Sequence, residues 1–95
     1  MKNYEVLFIL DPAMDEAAKN AMIENVKAII NDGGEAGEVD VWGSRKLAYE
    51  INKKKEGFYV LIPFKAEADM PKELDRRLKI SDSIMRHIIV CQDEK

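Results

Sequence analysis

The sequence predicts an α+β fold in which the order β-α-β-β-α-β sets two helices on one face of a four-stranded antiparallel sheet. Three observations carry that expectation. Apolar residues alternate at both ends of the chain and in its middle, they recur at helical spacing in two intervening stretches, and proline, glycine or aspartate marks the boundaries. At 95 residues the chain fits one domain, residues 1–95, because one hydrophobic core is normal at this length.

Each element follows from its own pattern. Lys2 to Leu10 alternates, with Tyr4, Val6, Phe8 and Leu10 on one face and Glu5, Leu7 and Ile9 on the other, which reads as a strand. Asp11-Pro12 ends it and Asp15 is placed to cap the next helix. From Glu16 to Asn31, Met22, Val26, Ile29 and Ile30 make a helical stripe, and Gly33-Gly34 is expected to close the helix in a left-handed turn. Glu38 to Ile51 alternates through Val39, Val41, Leu47, Tyr49 and Ile51, with a bulge or bend expected at Gly43. After a polar connection from Asn52 to Glu56, Gly57 to Lys65 reads as the returning strand of a hairpin, with Pro63 late in it or at an edge. Asp69 then caps a short helix with Pro71 in its first turn and Leu74, Leu78 and Ile80 as its apolar stripe. Ile84 to Cys91 is the last strand, and Gln92 to Lys95 a free tail. This is the ferredoxin-like, split βαβ order, which leaves one sheet face uncovered.

Composition narrows the function. With 46% apolar and 35% charged residues the chain is neither disordered nor membrane-spanning in type, and the first residues do not read as an export signal. A single cysteine, Cys91, allows no internal disulfide and no cysteine pair for zinc, which fits the cytoplasm. The net charge of −3 is polarised: residues 11–40 hold eight acids against two bases, residues 41–56 five bases against two acids, and residues 72–87 five bases against three acids.

Catalytic chemistry has no foothold. His87 is the only histidine and has no serine or acid at a catalytic spacing, so a structural or surface role is expected. Ser44, Ser81 and Ser83 sit at loop or helix-end positions, where capping is usual, and no phosphate-binding glycine loop occurs. The carboxylates of the first helix read as a solvated face. No enzyme activity, cofactor, metal or small-molecule substrate is expected.

The informative stretch is Trp42-Gly43-Ser44-Arg45-Lys46-Leu47-Ala48-Tyr49-Glu50-Ile51, followed by Lys53, Lys54 and Lys55. Interleaved bases and aromatics suit RNA, the bases on phosphates and the aromatics on unpaired bases or in a partner protein's pocket. The alternative, which composition alone favours, is lysines that solubilise a hairpin and aromatics in the core. A second basic set, Arg76, Arg77, Lys79 and Arg86, has an equally plain reading as helix solvation and dipole complement for its first three members. Gly57-Phe58-Tyr59-Val60 matches only part of the RNA recognition motif, since no small residue follows Phe58. Two rivals stay open on the residues alone: a small-molecule-binding domain, and a protein-binding module presenting its second strand as an edge.

Tyr4-Glu5, Pro12, Gly33-Gly34, Trp42-Gly43-x-Arg45-x-Leu47-Ala48-Tyr49-x-Ile51, Gly57-Phe58-Tyr59 and Arg86 together resemble the family of protein six of the bacterial small ribosomal subunit, over residues 2–91. The resemblance implies a structural, rRNA-binding component of that subunit, working in translation as part of a cytoplasmic ribonucleoprotein. It implies binding to the central domain of small-subunit ribosomal RNA as a heterodimer with the eighteenth small-subunit protein, and no membrane partner. Lys2, Arg45, Lys46, Lys53, Lys54, Lys55 and Arg86 are then the expected RNA contacts, and Trp42, Tyr49 and Tyr59 the expected protein contacts. Glu50 stands where some members carry proline, and the long C-terminal extension of some members is not expected here. A basic partner would offset the net acidity, since it supplies much of the counterion release.

Overall fold

The computed structural model describes residues 1–51 and 54–92, with the backbone alone at 48–51 and 54. The elements are β1 (Lys2–Leu10), α1 (Glu16–Gly33), β2 (Gly34–Ala36), β3 (Asp40–Ile51), β4 (Lys54–Ala66), α2 (Met70–Lys79) and β5 (Ile84–Cys91). All strand pairs are antiparallel, and β1 and β4 are the central strands, with β5 on the far side of β1. The fold is the ferredoxin-like α+β architecture that the sequence predicts.

One difference concerns the outer edge. Four strand positions are filled as expected, but the edge beside β4 is occupied by two segments: β2 pairs with Phe64 to Ala66, and β3 pairs from Leu61 towards the hairpin. Pro63 explains the break. Its carbonyl accepts from the Gly37 N–H at 2.7 Å, so its backbone polar side faces the outer edge, where the N–H that proline lacks would otherwise be needed. Pro63 is thus late in its strand as expected, yet one strand in from the edge.

The core lies between the sheet and the helices. Tyr4, Val6, Phe8 and Leu10 of β1 and Val60, Ile62, Phe64 and Ala66 of β4 meet Ile23, Val26 and Ile30 of α1 and Met70, Leu74 and Leu78 of α2. Met22 and Ile29 pack at its margin. Asp15 caps α1 as expected, its carboxylate accepting from the Ala18 N–H at 2.7 Å.

Four local expectations are corrected. Gly34 has φ −172°, an extended conformation rather than a left-handed cap; it is small because a Cβ there would strike the Lys65 carbonyl as β2 docks on β4. Asp69 stands at the N-cap of α2 but its side chain makes no capping bond. Ile80 is not part of the α2 stripe: it ends the helix and is 73% exposed, because the buried face closes at Leu78. β4 starts at Lys54, so the hairpin arm is longer than the polar connection from Asn52 to Glu56 implied.

Candidate nucleic-acid and partner interface

Strand registers give the residues of the open sheet face row by row, since directly opposed residues share a face. Nearest the β3–β4 hairpin, Arg45 faces Gly57. The next row runs from Gly43 through Tyr59 and Ile9 to Arg86, and the next from Asp40 through Leu61 and Leu7 to Ile88. Pro63, Glu5 and Val90 follow, and Glu35, Lys65 and Asn3 lie at the far end. The face is therefore basic at one end, apolar across its middle and mixed in charge at the other, where Glu5 and Glu35 accompany Lys65. Ile88 and Val90 are about half exposed, as is usual for surfaces that another molecule covers.

Trp42 reaches this face through a bulge. The register shifts between Val41 and Gly43, and Gly43 has φ +85°, a left-handed conformation that a residue without Cβ adopts at no steric cost. The extra residue turns the indole onto the open face, where it lies parallel to the Tyr59 ring with centroids 6.1 Å apart and an interplanar angle of 7°. Its Nε1–H donates to Asp40 Oδ2 at 3.1 Å. Trp42 remains 40% exposed, so the aromatics do not join the main core.

Gly57 organises the same end. A Cβ there would strike the Ile9 Cγ2 and come within 3.2 Å of Leu47 and 3.6 Å of Tyr59. Ile9 thus folds across the missing side chain and is only 7% exposed although it lies on the open face.

The basic residues fall into two electrostatic classes. Arg45, Lys46 and Lys55 are exposed and make no ion pair with another described residue. Lys46 opposes Glu56 across the hairpin and so faces away from Arg45. Arg86 is exposed on the open face, across Ile9 from Tyr59, and is not one of these unpaired bases. On α2, by contrast, Glu73 accepts from Arg76 at 2.7 and 3.1 Å and from Arg77 at 2.9 Å, and Asp75 pairs with Lys79 at 3.2 Å. The Arg76 and Arg77 guanidiniums hold the Glu73 carboxyl down to about 2. Asp75 is also lowered, first by its 2.7 Å hydrogen bond with His87 Nε2 and then by Lys79. That bond ties α2 to β5 and gives His87 a structural place.

Of the sequence-predicted contacts, Arg45, Arg86, Trp42 and Tyr59 come together at the hairpin end of the open face. Lys2 does not join them: it begins β1 opposite Ala66, about 24 Å along the strand from the Ile9 row. Lys53 lies outside the described residues, and the side chains of Tyr49 and Lys54 do so as well. The sequence does not mark the apolar middle of the face residue by residue; its signal there is the unbroken run Ile88 to Cys91, since a strand apolar on both faces needs cover on both. A shallow cleft of about 420 Å³ at the far end is lined by Glu5, Gly37, Pro63, Lys65 and Gln92 among others, and Glu5 there accepts from Gln92. Among the described residues no group of three side chains is arranged to hold a metal ion, and no helix is long and apolar enough to cross a membrane.

The profile of the family described as Ribosomal protein S6 matches residues 3–91. A small ribosomal subunit protein bS6 of Clostridium acetobutylicum is 56% identical over 95 residues, covering 99% of this chain and all of the relative. One of Clostridium botulinum, strain Loch Maree, is 49% identical over 94 residues, covering 98% of this chain and all of the relative. The crystal structure of 30S ribosomal protein S6 from Thermotoga maritima superposes with a TM-score of 0.90 at 32% identity, covering 96% of this chain and 87% of that one.

Proposed function

Because the chain belongs to the ribosomal protein S6 family, and so is an RNA-associated constituent of the small subunit in the cytoplasmic ribosome, we propose that it is a non-enzymatic scaffold. In this reading it binds the central domain of small-subunit ribosomal RNA jointly with the eighteenth small-subunit protein. The observation that supports the reading is the grading of the open face, with bases at the hairpin end and an exposed apolar middle. Arg45 and Lys55, with Lys46 turned to the other side of the hairpin opposite Glu56 and Lys53 and Lys54 adjoining in sequence, supply charges that form no ion pair with another described residue, and Arg86 extends that end across the sheet. Such bases gain most from phosphate contact, because little internal attraction is given up. Lys2, remote from them, would touch a separate backbone segment.

The exposed Trp42, Ile88 and Val90 suit a protein surface, with Tyr59 beneath the indole and Tyr49 further along β3. The few bases on this end and the net charge of −3 make RNA affinity dependent on a basic partner. Filter binding of the rRNA central domain, with and without the eighteenth protein, tests this. We expect weak retention by the chain alone near physiological salt and a marked gain with the partner. Tight binding alone, or no gain with the partner, would refute joint binding.

A further inference from the structure

We propose that Asp40, Trp42 and Tyr59 form a seat for an arginine side chain of the protein partner. The inference rests on the partner reading above and names the chemistry of one contact within it. Trp42 is backed by Tyr59 on one side and as a residue remains 40% exposed. Asp40 is held at the rim of that ring, because one of its oxygens accepts the indole N–H at 3.1 Å. Its other oxygen has no partner among the described residues. A flat cation lying on the indole would therefore meet both an aromatic face and a carboxylate at its margin.

Guanidinium fits this arrangement better than ammonium or a nucleotide. It is planar, stacks on an aromatic face and still directs N–H groups sideways to a carboxylate, whereas an ammonium is a hydrated point charge. A nucleobase could also stack on Trp42, but its phosphate would enter a negative neighbourhood. Gly34 to Val41 carries Glu35, Glu38 and Asp40 and no base. Arg45 thus lies from Trp42 towards the hairpin and Asp40 in the opposite direction along β3. Arg45 does not fill the seat itself, since it makes no contact of that kind with the indole.

Trp42 is the only tryptophan, so its emission reports directly on the site. The intact protein is titrated with a short capped arginine-rich peptide, with its lysine counterpart of equal charge, and with a short oligouridylate. We expect saturable change with the arginine peptide, affinity roughly fivefold lower for the lysine peptide, and little effect of the oligouridylate. Asp40→Asn should weaken arginine binding about tenfold, although its amide oxygen can still accept the indole N–H and keep the ring in place. An unaltered emission with the arginine peptide, an equal affinity in Asp40→Asn, or a response to oligouridylate alone overturns the proposal. Trp42→Leu, followed by calorimetry, guards against an indirect signal: retained arginine affinity overturns it too. Pairing with the eighteenth protein is measured in parallel. Intact pairing with an inert Trp42 refutes the seat and spares the function, whereas absent pairing by the unaltered protein refutes the partner reading itself.

Discussion

The hairpin end of β3–β4 and the helix α2 carry comparable numbers of bases, yet they are different electrostatic objects. On α2, carboxylates three and four residues away close on Arg76, Arg77 and Lys79, and the helix presents ion pairs to solvent. At the hairpin end Arg45, Lys46 and Lys55 have no such partner among the described residues. A count of charges along the chain treats the two alike. What separates them is whether a carboxylate has closed into an ion pair with the base, which decides whether a phosphate would gain a contact or have to break one.

The largest effect is expected at the root of α2. If that helix is a structural element, Leu78→Ala should cost about 2–5 kcal/mol in chemical denaturation, because Leu78 is buried against the sheet and a cavity would remain. A cost below about 0.5 kcal/mol would mean that α2 is not anchored as described. Next in size is neutralisation of Arg45, Lys46 and Lys55 together to Gln. It should make the salt dependence of RNA assembly shallower by roughly 0.7–0.9 for each phosphate that is no longer neutralised. The melting temperature should barely move, since exposed charges add little to stability. The matched change at Arg76, Arg77 and Lys79 sharpens the contrast, and an equally shallow salt slope there would erase it.

Trp42→Ala is expected to lower partner affinity by about 1–3 kcal/mol with little shift in melting, because the indole lies outside the main core. Unfolding of that variant would instead make the Trp42–Tyr59 stack part of the fold's support. The smallest effect concerns pH. Glu73 titrates lower in the folded protein than its ordinary 4.5, and Asp75 is lowered as well. Their contribution is therefore fully present above the ordinary carboxylate range and is lost as pH falls through it, for Glu73 towards about 2. Melting curves of Glu73→Gln should show a flatter acid limb than the unaltered protein. An unchanged limb would mean that solvent screens these exposed pairs completely.

Much of this was legible in the sequence, for reasons that differ by element. β1 and β5 coincide with their alternating runs because each lays one face on the core. β2 was not legible: Gly34-Glu35-Ala36 has no strand pattern, and it is extended only because β4 offers Phe64 to Ala66 as partners. The bulge at Gly43 was readable, but the sense in which it turns Trp42, and the Tyr59 ring waiting there, depend on a register fixed across strands. The pairs of Glu73 with Arg76 and Arg77 were latent in their helical spacing. The bond from Asp75 to His87 was not, since it joins two elements that meet only in the fold.

Pro63 also bears on what happens to the chain before it meets any partner. An unpaired sheet edge invites another copy to add a strand, the first step of fibril growth. Here that edge is cut into a short tract and a longer one, kinked at Trp42-Gly43 and studded with Glu35, Glu38 and Asp40. An incoming strand would find an interrupted ladder and like charges if it came from a sister copy in register. The proline that costs the sheet one hydrogen bond thereby leaves a sister strand few continuous positions to extend the sheet on this side.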